Sequence, residues 1–469
     1  MWSYTTLFVG FLLIADAAMT EVKKHVVCYH GTWSVYRPSE GRFGVEDIDP
    51  FLCTHLVYAF MGIKETGELR IIDPYLDLED NGGRGNIKKF NALKLKNPTL
   101  KTLVAVGGWN EGSKRFSIVA NDAEKRSLFI EQIIQFIQRH GFDGVDLDWE
   151  YPGQRHSLSN NNDRDNYITF LKELKEGLDP FGYILSAAVG SAEFSAEVSY
   201  DIPAIVPYLD LINVMAYDLH GPWDETVGIN APLYAGACDT TRRANQLNVD
   251  AVVQYWLGAG APPEKLVLGV PFYGRTFTLT SADEHKPGAA HIGRGIAGPF
   301  SREPGVLGYN ELCGLMQQDE WTEEWDDEQQ VPYAFKDRQW VGYENVQSLM
   351  LKAQYAMVNQ LAGIMIWSLE SDDFRGSCGG NTYPLLHEIN RALFGRETPT
   401  GLITEPQATS VNKTEDYRCP GDIGYVRDTH NCSRFYYCNS GATFNFDCPS
   451  GLIFDLNSSS CNYSDLVKC

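Results

Sequence analysis

Eight short apolar segments alternate with amphipathic helical segments between residues 25 and 395, and this alternation constrains the fold more than any other feature of the sequence. It is the pattern of βα units, whose strands run parallel in one sheet. The apolar segments are His25–Tyr29, His55–Phe60, Thr102–Gly108, Gly144–Tyr151, Ile184–Val189, Leu211–Asp218, Leu266–Arg275 and Gly363–Ser368. Eight such strands predict an α/β fold, a closed (β/α)8 barrel of the TIM type.

The connection after the seventh predicted strand is unusually long. It covers residues 276–343, whereas βα connections usually take about two to six residues. We therefore expect a small α+β insertion here, placed beside the C-terminal ends of the strands, where barrel enzymes keep their active sites.

The two ends of the chain differ in composition from the barrel region. An apolar run at residues 7–15, too short to span a bilayer and followed by small residues, predicts a signal peptide over residues 1–19. Residues 22–395 would form the barrel domain, and residues 396–416, rich in Thr and Pro, a flexible linker. No later segment is long and apolar enough for a membrane span, so we expect a secreted, extracellular protein without a membrane partner.

Charge excludes one class of partner. The chain has 39 Lys and Arg against 61 Asp and Glu, a formal net charge of −22. Such a chain repels phosphate backbones, so we expect no nucleic-acid partner. Glycosylation sequons occur at Asn412, Asn431, Asn457 and Asn462, all in the linker and tail.

Asp146, Asp148 and Glu150 alternate along the fourth predicted strand. Side chains two apart in a strand share a face, so all three carboxylates point the same way. If that face is the barrel interior, they replace the branched apolar residues that normally fill it. Burying carboxylates together is costly and hinders their ionisation. The cost is understandable if one carboxyl stays protonated as a general acid while a neighbour stays charged.

Two other interpretations of the acidic triplet remain open at this point. It could be a solvated acidic strand edge, or a site for a divalent metal ion. The metal interpretation lacks a second acidic run with ligand spacing, and the ten histidines are scattered. We therefore expect neither a metal nor a cofactor.

The segment Asp143–Pro152 resembles the DGxDxDWEYP signature of glycoside hydrolase family 18, the chitinases, at all ten positions. The resemblance extends over residues 25–395. It implies hydrolysis of β-1,4 linkages in chitin, within the polymer chain, with retention of configuration and with assistance from the 2-acetamido group of the substrate. It also implies that Glu150 protonates the glycosidic oxygen, that Asp148 positions the acetamido group, and that Asp146 tunes Asp148.

Further segments resemble family motifs at the ends of strands. Met215–Asp218 resembles the MxYD motif, which implies that Tyr217 hydrogen-bonds the acetamido carbonyl and that Met215 and Asp218 line the pocket. Residues 101–109 resemble the third-strand motif, which includes Gly108 and Trp109, and Trp367 resembles the tryptophan beneath the reacting sugar. The other pocket positions that the resemblance implies are Tyr29, Phe60, Tyr273 and Arg275, with Trp33 and Trp223 as candidate sugar platforms.

Six of the eleven cysteines lie in residues 419–469. Such density indicates a core too small to be stable unaided, held by disulfides made in an oxidising compartment. The cysteine spacing, with Phe435, Tyr436 and Tyr437 before Cys438, resembles a peritrophin-A chitin-binding domain. Residues 417–469 would then be a small disulfide-rich β module.

Spacing alone leaves the disulfide pairing open. The family resemblances imply Cys28 with Cys53 and Cys313 with Cys378 in the barrel, and Cys419 with Cys438, Cys432 with Cys469 and Cys448 with Cys461 in the tail. Cys238 is left over, and we expect it to be a buried free thiol.

The sequence therefore favours a secreted, monomeric chitinase whose partners are chitin and chito-oligosaccharides. The alternative is a catalytically weak or inactive, lectin-like relative that keeps the barrel and binds chitin. Inactive relatives typically lack the acid at the position of Glu150. Here Glu150, Asp148 and Tyr217 are all present, which favours the enzyme.

Overall fold

A computed structural model describes residues 23–155, 162–318 and 320–395, and residues 423–428, 431–439, 442–447, 452–455 and 460–463 of the tail. The chain divides into two compact units, residues 1–400 and 401–469. The predicted signal peptide and linker lie outside the described residues. None of the helices described has the length and apolar character needed to span a bilayer.

The first unit combines parallel and antiparallel strands. Its strands in chain order are β1 (His25–Gly31), β2 (His55–Ile63), β3 (Leu69–Arg70), β4 (Lys101–Gly107), β5 (Gly144–Asp148), β6 (Ile184–Gly190), β7 (Leu211–Met215), β8 (Leu266–Pro271), β9 (Tyr273–Leu279), β10 (His291–Arg294), β11 (Val306–Gly308), β12 (Thr322–Asp326), β13 (Val331–Lys336), β14 (Gln339–Gly342) and β15 (Gly363–Trp367).

Helices fill most of the connections between the parallel strands. They are α1 (Pro74–Asp77), α2 (Asn86–Ala92), α3 (Lys114–Ala120), α4 (Ala123–His140), α5 (Asp163–Leu178), α6 (Glu193–Ser199), α7 (Ile202–Ile205), α8 (Val249–Gly258), α9 (Tyr309–Gln318), α10 (Val346–Val358) and α11 (Pro384–Phe394).

Eight parallel strands close into a barrel in the order β1-β15-β8-β7-β6-β5-β4-β2, and β1 pairs with β2 to complete the circle. The prediction of a (β/α)8 barrel is therefore confirmed. Three predicted strands extended three or more residues too far, and the third and eighth extended one residue too far. β5 ends at Asp148 and β7 at Met215, so Glu150, Tyr217 and Asp218 lie just beyond their strands.

The third overlong strand is the predicted seventh, Leu266–Arg275. β8 ends at Pro271, and the next backbone N–H, that of Phe272, donates to the carbonyl of Trp367. Tyr273 and Arg275 then belong to β9, which pairs antiparallel with strands of a second sheet. The apolar run is continuous in sequence because both strands are buried, so its composition hides the break.

The long connection after β8 forms this second sheet. Its order is β10-β9-β14-β13-β12, with β11 also paired to β9, and α9 follows β11. The disulfide Cys313–Cys378 joins α9 to the loop after β15, and Cys28–Cys53 joins β1 to the segment before β2. Apolar residues of the insertion, among them Leu307, Leu312 and Val341, form a small core of their own, and the disulfide adds a covalent connection back to the barrel.

The long helix α4 shows why its residues form a helix. The Asp122 carboxylate accepts from the backbone N–H groups of Glu124 and Lys125 and caps the first turn. Gly141 ends the helix with a φ of 77°, a left-handed conformation that suits glycine. One stripe of the helix, including Ile133 and Ile137, is buried against the barrel.

The barrel has two apolar layers of different character. Outward-facing side chains, such as Val145 and Leu147 of β5, pack with the helices in one large cluster. The inward-facing layer contains several small side chains, among them Ala59, Ala105 and Ala188. Small inward residues leave space inside the barrel for polar groups.

The loop after β7 contains Cys238, which the structure leaves unpaired and exposed. The prediction of a buried thiol was wrong. Cys238 lies in a tight turn that is closed by hydrogen bonds between Gly236 and Asp239, and a turn of this kind on a long surface loop presents its middle residues to solvent.

The second unit is built from β strands, as predicted. β16 (Ile423–Arg427), β17 (Arg434–Asn439) and β18 (Ala442–Asp447) form an antiparallel sheet, and β19 (Leu452–Asp455) pairs with β20 (Ser460–Tyr463). Cys432 is disulfide-bonded. The predicted tail pairings otherwise involve side chains outside the described residues.

Candidate active site

Alternation along β5 places its acidic residues inside the barrel. Asp146, Asp148 and Glu150 are 0%, 3% and 7% exposed. Trp149, between the last two, points outward, stacks on Phe116 and donates its indole N–H to the Ser113 hydroxyl. Because Trp149 is anchored in this way, Glu150 remains directed inward although the strand has ended at Asp148.

Asp146, the deepest carboxylate, is fully hydrogen-bonded. Its Oδ2 accepts from the Tyr29 hydroxyl at 2.7 Å, and its Oδ1 accepts from Ser186 Oγ at 2.5 Å and from Asn213 Nδ2 at 3.2 Å. Burial raises the pKa of Asp146, and these three hydrogen bonds act in the opposite direction. Donors from β1, β6 and β7 therefore hold this carboxylate in place.

Asp148 has fewer partners than Asp146. Its Oδ1 is buried and has no hydrogen-bond partner among the described residues. Burial raises the pKa of Asp148 well above its usual range, and the nearby charges of Glu150 and Asp146 raise it further, while Arg155 lowers it. A buried carboxylate oxygen without a partner marks a place where a ligand can donate a hydrogen bond.

Glu150 lies nearest the mouth of the barrel. Burial raises the pKa of its carboxyl to about 7, with Asp218 adding to the rise and with Tyr151 and Arg155 opposing it. Glu150 and Asp148 influence each other's ionisation, so they titrate as a pair. A carboxyl that is half protonated near neutral pH can serve as a general acid.

A second polar group faces the carboxylates from the end of β7 and the start of β9. Asp218, with a φ of +55°, accepts from the Tyr273 hydroxyl at 2.7 Å and from Arg275 Nε at 2.7 Å. The Asp218 backbone N–H donates to Asn230. The insertion thus contributes two side chains to the pocket, although its strand belongs to a different sheet.

Tyr217 is buried inside the barrel beside the inward-facing Met215. Its hydroxyl donates to the sulfur of Met365, and its ring meets Tyr273 edge to face. Gly269 leaves space here, since a Cβ on it would lie 3.0 Å from the Tyr217 ring and 2.3 Å from a backbone oxygen.

Aromatic rings gather around Trp367 at the end of β15. Phe60 stacks on it with ring centroids 5.6 Å apart. The ring centroids of Tyr29 and Trp33 lie 5.7 and 6.1 Å from that of Trp367. Gly108, with a φ of +85°, permits the approach of Phe60, because a Cβ there would lie 2.6 Å from that ring. The result is a continuous apolar surface next to the buried acids.

Three tryptophans around the mouth are exposed. Trp33, Trp109 and Trp223 are 45%, 60% and 58% accessible. Arginine side chains lie over two of them. The guanidinium carbon of Arg155 is 3.4 Å from the centroid of the Trp109 ring, and that of Arg275 is 5.1 Å from the centroid of the Trp223 ring. Flat, accessible rings of this kind suit the apolar faces of sugar rings.

Several residues around the acids were not identified from the sequence. Ser186 and Asn213 hold Asp146, Asn230 holds Asp218, and Arg155 donates to the carbonyl of Glu150. Ser186 and Asn213 carried a usable signal, because each is a polar residue at an inward position of an otherwise apolar strand. Asn230 and Arg155 lie in loops and carried none.

One group of described residues has the close spacing that a metal ion needs, namely Cys313, Asp373 and Cys378. Its two sulfur atoms are joined in a disulfide. Both oxygens of Asp146 already accept hydrogen bonds from uncharged donors.

The closed barrel has a protonatable carboxyl at its mouth, a second carboxylate beneath it and aromatic rings beside both. This arrangement defines a hydrolase that uses acid catalysis on a sugar-like substrate. Residues 25–372 match the family model of the glycosyl hydrolases family 18, and residues 419–469 match that of the Chitin binding Peritrophin-A domain. The chain therefore belongs to family 18 of the glycosyl hydrolases, and its tail is a peritrophin-A domain.

Individual relatives agree with this assignment. Probable chitinase 2 of Drosophila melanogaster is 41% identical over 399 residues, which are 79% of this chain and 80% of that protein. The crystal structure of Ostrinia furnacalis Group IV chitinase with allosamidin is 50% identical, with a TM-score of 0.77, over 79% of this chain and 99% of that one. Human YKL-39, a pseudo-chitinase with retained chitooligosaccharide binding, is 36% identical with a TM-score of 0.72, over 79% of this chain and 99% of that one.

We predict that Tyr29→Phe lowers hydrolysis of a soluble glycoside at least about tenfold and lowers the free energy of unfolding by about 1–3 kcal/mol, because Asp146 Oδ2 loses its donor. Enzyme assays and urea denaturation at pH 7 measure the two effects. Tyr58→Phe is the matched control, since the Tyr58 hydroxyl also donates to a buried carboxylate, that of Asp77. The control should lose stability alone, and an equal loss of activity in both variants would contradict the prediction.

Proposed function

We propose that this protein is a secreted chitinase that cleaves β-1,4 linkages between N-acetylglucosamine units within chitin chains and retains the anomeric configuration. The observation that carries the proposal is the pair formed by Glu150, with a pKa of about 7, and Asp148, with a buried oxygen to which no described residue donates. The first supplies a proton, and the second is suited to accept one N–H from the substrate.

In the proposed mechanism Glu150 protonates the glycosidic oxygen as the bond to the leaving sugar breaks. Asp148 accepts the N–H of the 2-acetamido group through its unpaired oxygen and so turns the acetamido oxygen toward the anomeric carbon. That oxygen attacks, and a water molecule, deprotonated by Glu150, later opens the cyclic intermediate from the face that the leaving group occupied. Two displacements at one carbon give net retention, as in other substrate-assisted glycosidases.

The remaining pocket residues have supporting roles in this proposal. Asp146, held by Tyr29, Ser186 and Asn213, lies beneath Asp148 and tunes it. When substrate binds, Tyr217 would donate its hydroxyl to the acetamido carbonyl in place of the sulfur of Met365. Asp218, fixed by Tyr273 and Arg275, lines the same side of the pocket, as does Met215.

The aromatic surface supports binding of several sugar units at once. Trp367 would lie beneath the reacting sugar, with Phe60 and Gly108 completing the floor. Trp33, Trp109 and Trp223 are exposed rings around the mouth that can stack on further units. A site that binds a chain on both sides of the scissile bond suits cleavage within a polymer.

A chitin-binding protein without turnover is the second candidate, and the similarity to YKL-39 makes it specific. Glu150 distinguishes the two. A protein that only bound chitin would not need a buried carboxyl whose pKa is raised to about 7. We therefore propose that this protein is an active enzyme.

The peritrophin-A tail is proposed to hold the enzyme on solid chitin. A tethered module raises the local concentration of substrate at the active site without adding catalytic groups. The disulfides Cys28–Cys53 and Cys313–Cys378 support folding in an oxidising, extracellular compartment. We further propose that the enzyme acts as a monomer on chitin and chito-oligosaccharides.

Glu150→Gln tests the assignment of the acid. The amide keeps the shape of the side chain but cannot donate the catalytic proton, so we expect turnover of chitohexaose to fall by about 100- to 10,000-fold. Affinity for the hexamer, measured by calorimetry, should change by less than about threefold. Unchanged release of short products would contradict the role of Glu150.

The pH dependence of kcat/KM tests the ionisation of the pair. The protonated form of Glu150 is the active acid, and burial raises its pKa from 4.5 to about 7. Activity should therefore persist up to about pH 7 and fall about tenfold per pH unit above it. Measurements on a soluble oligomer between pH 4 and 9 check this, and a decline that begins near pH 5 would contradict it.

Deletion of residues 401–469 tests the proposed role of the tail. The first unit carries all of the proposed catalytic residues, so hydrolysis of chitohexaose should change by less than about twofold. Hydrolysis of solid chitin should fall about tenfold or more, because the tether is lost. Parallel assays on the two substrates measure the difference, and equal losses on both would argue against a binding role.

A further inference from the structure

Glu370 is a fully buried carboxylate that the proposed mechanism does not use. It lies three residues beyond Trp367, in a short 3-10 turn, Leu369–Ser371, at the end of β15. Its Oε2 accepts from the backbone N–H of Gly31 at 3.1 Å, and its Oε1 accepts from Ser368 Oγ at 2.6 Å. The carboxylate thus connects the loop after β15 to the last residue of β1.

The surroundings of Glu370 favour its charged form. Burial raises the pKa of this carboxyl, but His30, Arg37 and Ser368 more than offset that effect, and the pKa is lower than usual. Arg37 Nη2 lies 4.0 Å from Oε1, and His30 Nδ1 lies 3.9 Å from Oε2. A buried negative charge that is held by several partners resists displacement, because any movement leaves it uncompensated.

The loop that Glu370 holds carries Trp33. This loop, the 3-10 turn Thr32–Tyr36, is tied to Glu370 at both ends. Gly31 donates to its carboxylate, and Arg37 Nη1 donates to its backbone carbonyl at 3.0 Å. Trp33 therefore lies between two attachments to the same residue.

Trp33 is also in direct contact with this junction. A Cβ on Gly31 would lie 2.5 Å from Glu370 Oε1 and 2.9 Å from the Trp33 ring. Only glycine allows the carboxylate, the backbone and the indole to approach so closely. Movement of the Glu370 carboxylate would therefore be transmitted to the ring.

Trp33 is the outermost ring of a series that leads away from the carboxylates. Tyr29 donates to Asp146, the Tyr29 ring lies 5.7 Å from Trp367, and Trp367 lies 6.1 Å from Trp33. Trp33 also stacks on Phe60 at 6.3 Å with an interplanar angle of 14°. A sugar chain that begins over Trp367 and continues outward meets Trp33.

We propose that Glu370 is a positioning residue, which fixes Trp33 relative to Trp367 and so sets the affinity for sugar units beyond the one over Trp367. The proposal rests on the proposed function for the identity of the ligand. It adds that a charged side chain without substrate contact determines how well a long oligomer is bound. It acts through Trp33 and has no part in proton transfer.

A double-mutant cycle tests whether Glu370 acts through Trp33. Trp33→Ala, Glu370→Gln and the double variant are prepared in the Glu150→Gln protein, and binding of chitohexaose is measured by calorimetry. We expect Kd to rise about tenfold for Trp33→Ala and about fivefold for Glu370→Gln. The double variant should remain at about tenfold, since Glu370 has no further effect once the ring is absent.

A rise of about 50-fold in the double variant would mean that the two effects are independent and would overturn the proposal, as would an unchanged Kd for Glu370→Gln. Glu388→Gln is the matched control, a buried glutamate paired with Arg391 on α11, and its Kd should not change. Thermal melting checks that each variant is folded. If Glu370→Gln does not fold, Glu370→Asp takes its place in the cycle. This variant keeps the charge on a shorter side chain, and we expect Kd to rise about two- to threefold.

The same variants with Glu150 intact separate the two proposals. Glu370→Gln should raise KM for chitohexaose about fivefold and change kcat by less than about twofold, a division that general loss of structure does not produce. Absence of hydrolysis by the parent enzyme would contradict the proposed function alone, because the calorimetric cycle measures binding without cleavage.

Discussion

The burial of three carboxylates on one face of β5 is the constraint on which the rest of the structure depends. Such a cluster is tolerated only where space, donors and outward anchors are provided together. Inward alanines on neighbouring strands supply the space, Tyr29, Ser186 and Asn213 supply donors, and Trp149 anchors the strand end on the outside. The barrel encloses the cluster, and β1, β6 and β7 each contribute one hydrogen-bond donor to it.

The three acids of β5 differ in their hydrogen-bond partners. Asp146 accepts from three donors, the Oδ1 of Asp148 has no partner among the described residues, and Tyr151 and Arg155 oppose the effect of burial on Glu150. Burial raises the pKa of all three carboxyls, and the partners of each one modify that rise. Chemically similar side chains on one face of a strand therefore have different surroundings, which suits them to different roles.

Much of this arrangement follows from the sequence. The period of two along β5 predicts which acids share a face, and the eight βα units predict the barrel that encloses them. Tyr273 and Arg275 were placed on the wrong strand, because two buried strands adjoin at Phe272 without a polar break. Arg155 and Asn230 are loop residues whose contacts depend on tertiary folding, and the exposure of Cys238 depends on a turn with no periodic pattern.

The insertion has a consequence for how such a pocket can change. Tyr273 and Arg275 fix Asp218 from β9, which belongs to an antiparallel sheet outside the barrel. That sheet packs around Phe277, Leu279, Tyr333 and Trp340, together with Val227 and Ile229 of the loop after β7. The acids of β5 and two of the side chains opposite them therefore come from different sheets. Substitutions along β9 can reshape that wall of the pocket without removing a donor from Asp146, so the shape of the pocket and the support of its acids can vary through different residues.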